Sequence, residues 1–203
     1  MRLAPLHTTA GALVLLFALT ACGSDDPGSL PAAFGGGAMP EKKQESGFKG
    51  LAKAGSMAGA ARLVGGYTQC TNVSSIPGGE DSESEEDAKY GKTYSVTERG
   101  YCNDEDETGI FMIKDPKAFQ AAIKADVDKE YAEHPHSHVN MGFVIGQDFA
   151  SGSQSSQVMA AMLGPGSGMR VLNCHPDFNP PSGYSKEPAL VKGCVLTDYL
   201  SEE

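Results

Sequence analysis

Tryptophan is absent from the 203-residue chain and aromatic residues make up only 7% of it, so a core has to be filled by Leu, Val, Ile, Met, Phe and Tyr. Positive charge is scarce as well. The 16 Lys and Arg stand against 26 Asp and Glu, for a formal net charge of −10. A surface of that sign repels phosphates and anionic headgroups, which sets nucleic acid aside as a direct partner. The apolar run from Gly11 to Leu19 falls short of the ~20 residues that a membrane-spanning helix needs. Common catalytic signatures are missing too. There is no G-x-S-x-G and no H-E-x-x-H, and Gly91-Lys92-Thr93 has Glu86 where a phosphate loop requires glycine. Ser46-Gly47-Phe48-Lys49 spells S-x-x-K but stands without its S-D-N and K-T-G partners, so chance accounts for it. Five cysteines are present and none forms C-x-x-C, the usual mark of a thiolate metal or redox centre.

What is there begins with a leader: Arg2, then the short apolar segment, then small residues before Cys22. Leu19-Thr20-Ala21-Cys22 resembles the lipobox of bacterial prolipoproteins. That resemblance implies a signal peptide over 1–21, removed by a type II signal peptidase, and a diacylglyceryl and fatty-acyl anchor on Cys22. It places the protein on the outer face of the cell membrane. Each buried methylene contributes about 0.8 kcal/mol, so two or more chains hold a protein firmly. Residues 22–47 then read as a flexible tether. They contain Pro27, Pro31, Pro40 and the run Gly35-Gly36-Gly37, with almost nothing to bury. Such a coil reaches roughly 25–30 Å.

The folded body is expected over 48–203. Phe48 to Val64 has loosely helical apolar spacing interrupted by glycines, and Tyr67 to Val73 reads as a short strand carrying Cys70. Pro77 to Asp87 is an acidic, solvated loop. Lys92 to Arg99 and Gly109 to Lys114 read as strands. Asp115-Pro116 is a helix start, a capping carboxylate followed by a proline whose missing N–H costs nothing there. The helix after it places Phe119, Ala122, Ile123 and Val127 on one face and ends near Pro135. Val139 to Phe149 reads as one central strand, with Met141, Phe143 and Ile145 on one side. A second helix over Ser153 to Leu163 buries Val158, Met159 and Met162. Met169 to Cys174 and Cys194 to Leu200 supply two more strands, separated by a proline-rich loop.

These elements predict a single α+β domain: a mixed sheet of about five strands with two or three helices. Strand–helix–strand runs around Asp115 and Asp148 leave a parallel α/β sheet as the alternative. A faint internal echo, helix then cysteine then loop then cysteine, occurs twice. In an oxidising compartment four cysteines allow three connectivities. The echo favours the nearest-neighbour pairs Cys70–Cys102 and Cys174–Cys194.

Two constellations point to metal. His134, His136 and His138 alternate, and on an extended segment residues two apart lie about 6.6 Å from each other on one side. Imidazole suits zinc or copper. Asp104, Asp106, Thr108, Gly109 and Asp115 resemble an EF-hand calcium loop, but no helix enters it and Ile110 to Ile113 favours strand, so an acidic turn explains it better. A catalytic group assembled from Asp148, His175 and Asp198 is a third option. The whole-chain pattern of lipobox, tether and small four-cysteine domain resembles the uncharacterised lipoproteins of Gram-positive bacteria, a likeness that brings no activity with it. The leading expectation is a non-enzymatic, lipid-anchored module binding an envelope ligand or protein. A surface zinc or copper protein is the runner-up, and a hydrolase comes third.

Overall fold

Apolar residues fall on both faces of the same strands. In β3 (Gly109–Ile113), Ile110 and Met112 belong to one core cluster and Phe111 and Ile113 to the other. A strand of this kind has to be covered on two sides. The computed structural model describes residues 47–75, 93–137, 140 and 142–201, all within one compact unit, Lys42–Glu203. The expected signal peptide, Cys22, nearly all of the tether, the acidic stretch Pro77 to Asp87, and His138 lie outside the described residues.

The architecture is α+β. Among the described residues eight strands form one sheet in the order β1-β2-β3-β5-β4-β6-β8-β7, where β1 is Val73–Ser74, β2 Val96–Cys102, β4 Val144–Ile145, β5 Phe149–Gly152, β6 Arg170–Asn173, β7 Glu187–Pro188 and β8 Val195–Thr197. Every pairing is antiparallel. The mixed sheet of about five strands is therefore corrected to an antiparallel sheet of eight, and the parallel α/β alternative falls. The reason lies in one hairpin. The segment read as a single strand, Val139 to Phe149, turns through Gly146–Asp148 and returns as β5, which inserts between β4 and β3. The two helices that follow β3 and β5 thus join strands running in the same direction but separated by an antiparallel neighbour. Both edge strands have two residues, and β7 ends in Pro188, which leaves little for another chain to pair with.

Among the described residues α1 (Met57–Val64), α2 (Pro116–Glu133) and α3 (Ser156–Met162) cover the sheet. α2 begins as expected, with Asp115 Oδ1 accepting from the N–H groups of Lys117 and Ala118 at 3.0 Å and Pro116 in the first turn. Its buried stripe is the expected Phe119, Ala122, Ile123 and Val127, joined by Gln120, whose Oε1 accepts from Leu190 N at 2.8 Å. It packs over Ile113, Ile145, Leu172 and Leu196. α1 and α3 share the opposite face with Ile110, Val144, Phe149 and Val171. The helix expected over Phe48 to Val64 is shorter, a 3-10 turn at Gly47–Gly50 and then α1. Between them residues 51–56 are irregular and are held from the β4–β5 turn. Gln147 N donates to Ala52 O at 2.8 Å, and Asp148 accepts from the N–H groups of Ala54 and Gly55, each at 2.8 Å.

The disulfides are Cys70–Cys102 and Cys174–Cys194, with Cα atoms 4.5 and 4.0 Å apart, the nearest-neighbour pairing. Each lies in a different core cluster, so one bridge serves each face of the sheet. Cys70 sits in the connector after α1, not on the expected strand Tyr67 to Val73, of which only Val73 pairs. No helix among the described residues is long and apolar enough to cross a membrane.

Candidate functional site

A groove of about 960 Å³ lies between α1, the connector carrying Cys70, and the start of the sheet. Its walls follow from local sequence. Ser56 caps α1 by accepting from Gly59 N at 3.2 Å. The helix can lie close to β2 because position 100 is glycine: a Cβ there would stand 2.2 Å from Val73 Cγ1 and 2.9 Å from Met57 Sδ. The Cys70–Cys102 bridge then fixes the connector against the end of β2. The floor is apolar, from Met57, Ala61 and Val73, and the rim carries Arg62 and Glu98, both exposed. The lining residues include hydroxyls but no imidazole, and the one thiol, Cys70, is oxidised. Such a lining, an apolar floor with a charged and hydroxyl-bearing rim, can hold an amphipathic ligand.

Beside the groove lies the acidic turn that resembled a calcium loop. Its side chains hold neighbouring segments of the chain. Asp104 accepts from the Thr68 hydroxyl at 2.7 Å, from Thr108 N at 3.0 Å and from the Thr108 hydroxyl. Asn103 Oδ1 accepts from the N–H groups of Thr71 and Asn72, both at 3.0 Å. Thr108 is fully buried, and its hydroxyl, whose proton goes to Asp104, stands 3.0 Å from Ser153 Oγ. Gly109 opens β3 rather than a metal loop, and Asp115 caps α2. The turn stitches three segments together.

This network has a pH consequence. Burial pushes the Asp104 carboxyl up, but the hydroxyl and N–H of Thr108 and the hydroxyl of Thr68 outweigh it, and the group is held below its ordinary 3.8. A carboxyl depressed by folding adds stability that is complete above its unfolded value and is lost as pH falls through the folded one. Asp104→Asn should therefore flatten the fall in melting temperature as pH drops through and below the ordinary carboxylate range, while leaving the slope near neutral pH unchanged. Acid limbs of equal steepness in the two proteins would contradict this role.

The three residues considered for scattered catalysis each serve a different neighbour. Asp148 holds Ala54 and Gly55. His175 is buried; its Nε2 donates to Ser137 O at 2.9 Å and its Nδ1 accepts from Asp177 N at 3.2 Å. Asp198 accepts from the N–H and hydroxyl of Ser185 at 2.7 and 2.9 Å. Those bonds, helped by Arg170, more than offset its burial and keep its carboxyl below the ordinary range. Tyr131 lies edge-on to His175 at 5.2 Å and donates to Asp177 Oδ2 at 2.9 Å, and that bond raises its phenol.

Of the histidine tract, His134 and His136 are described and exposed. His134 ends α2 and turns back along it, with Nδ1 3.1 Å from Glu130 Oε1. Glu130, Glu133 and His134 converge, a grouping the alternating-histidine reading passed over. Helical spacing of i, i+3 and i+4 was its visible signal.

No protein-family model, no curated protein and no solved structure matches the chain.

Proposed function

We propose that this protein is a lipid-anchored extracytoplasmic binding module, held by an acylated Cys22 on the outer face of the cell membrane and engaging an envelope ligand or protein. The observation that carries the reading is the use of the cysteines. Four of the five are consumed in two disulfides, one on each face of the sheet, and the fifth is Cys22 of the lipobox-like Leu19-Thr20-Ala21-Cys22. Paired structural cysteines belong to oxidising compartments. A leader of this composition supplies the route there, and a thiol left over in an exported chain calls for a chemical use. The groove beside α1 supports binding, because its lining pairs an apolar floor with one cation and one anion on the rim.

The test is mass spectrometry of the membrane fraction, with Cys22→Ala alongside. The expected mature N-terminus is Cys22 carrying thioether-linked diacylglycerol. Cys22→Ala should move the protein from the membrane pellet to the soluble fraction. An unmodified or internal N-terminus in the wild type, or a membrane fraction indifferent to Cys22→Ala, would end the proposal.

A further inference from the structure

We propose that Glu130, Glu133 and His134 form a binding site for one first-row transition ion, for which zinc is the appropriate probe. The three residues stand at i, i+3 and i+4 in the last turn of α2, so all project from one face. One ligand atom from each lies within 4.8 Å of the others, and Glu130 Oε1 is already 3.1 Å from His134 Nδ1. Donors each about 2.0–2.2 Å from a tetrahedral zinc are separated by roughly 3.3–3.6 Å, so small rotamer changes in half-exposed and exposed side chains close the set. A water completes the coordination.

Three physical features favour a cation here. Two carboxylates face one imidazole, the carboxyl end of a helix carries partial negative charge, and the whole chain is acidic. The imidazole selects the ion, since calcium and magnesium prefer all-oxygen shells whereas zinc accepts nitrogen and carboxylate together. The neighbouring groups define the limits of the site. Lys129 Nζ lies 4.0 Å from Glu133 Oε1 and competes with the metal for that carboxylate. Tyr131 is turned to Asp177 and takes no part. His136 stands beyond the helix end, so it is not required.

The experiment is calorimetric titration of the full chain, stripped of metal, with zinc chloride, repeated with cobalt(II) and read by its d–d absorption. One ion per chain is expected, with four-coordinate cobalt bands. The double change E130Q/E133Q and the single change His134→Ala should each abolish uptake. His136→Ala should leave it unaltered, and Lys129→Gln should tighten it, a gain that misfolding cannot imitate. Circular dichroism confirms that the helix survives in each variant. The proposal is overturned by absence of saturable uptake in the wild type, by uptake that persists in E130Q/E133Q and in His134→Ala, or by uptake lost with His136→Ala while the carboxylates prove dispensable.

Discussion

Replacing Cys174 and Cys194 together by alanine should lower the unfolding free energy by about 3–4 kcal/mol through chain entropy alone, since the bridge closes a loop spanning 20 positions. The measured loss should exceed that figure. Both residues are buried in the cluster beneath α2, with Leu172 and Leu196, so removing the sulfurs also leaves unfilled space. The Cys70–Cys102 bridge closes a longer loop, spanning 32 positions, and its removal should cost a similar about 3–4 kcal/mol. The two bridges sit in separate core clusters on opposite faces of the sheet and share no packing partners, so their effects should add. Their sum approaches the whole stability of an ordinary domain, roughly 5–15 kcal/mol. The four-alanine variant should therefore be largely unfolded at 37 °C, and the wild type should follow it when reduced. Urea denaturation of the two double variants and the quadruple variant measures this. A quadruple variant with the wild-type midpoint would show that the fold does not depend on its cross-links.

Local physics was legible in the sequence wherever a segment's partner lay nearby. Asp115-Pro116, the stripe Phe119–Ala122–Ile123–Val127 and the strand Gly109–Ile113 all carry their signals within one or two turns, and each stands where it was expected. The helix expected over Ser153 to Leu163 forms over the shorter span Ser156–Met162 and buries Met159 and Met162, whereas Val158, expected beside them, is only half-buried. The disulfide pairing followed from order along the chain. What escaped depends on distant contacts. The turn at Gly146–Asp148 interrupts an apolar run that alternates convincingly, and its carboxylate is used by Ala54 and Gly55, 94 and 93 positions away. With that turn hidden, β4 and β5 look like one strand and the antiparallel insertion of β5 beside β3 cannot be inferred. β7 was hidden because Glu187–Pro188 has no apolar pattern; β8 supplies its pairing. The groove was illegible for the same reason, since Gly100 has meaning only once Met57 and Val73 lie against it. Glu130 and Glu133 carry no signal in the sequence beyond their helical spacing, and the alternating histidines suit an extended segment, whereas His134 belongs with the helix before it.

Phe149→Ala should be the most damaging single truncation, costing about 3–5 kcal/mol. The ring is fully buried, pairs across β3 with Met112, and lies on the face covered by α1 and α3. It also explains the hairpin. Gly146 N donates to Phe149 O at 2.9 Å, closing the turn, and a Cβ at position 146 would stand 2.1 Å from Phe149 Cε1 and 2.7 Å from Ala52 O. Gly146→Ala should thus destabilise the protein by forcing apart either the ring or the strap of chain that Gln147 and Gly168 hold through Ala52. The two obstacles can be separated. In a Phe149→Ala background the ring is gone, so Gly146→Ala should cost less there than in the wild type, with a coupling of about 0.5–3 kcal/mol. It should not become free, because the Ala52 carbonyl is fixed from both sides, its N–H bonded to Gly168 O at 2.6 Å and its oxygen to Gln147 N at 2.8 Å. A double-mutant cycle by urea denaturation decides it. If Gly146→Ala costs the same in both backgrounds, the ring does not constrain the turn, and the requirement for glycine comes from the carbonyl alone.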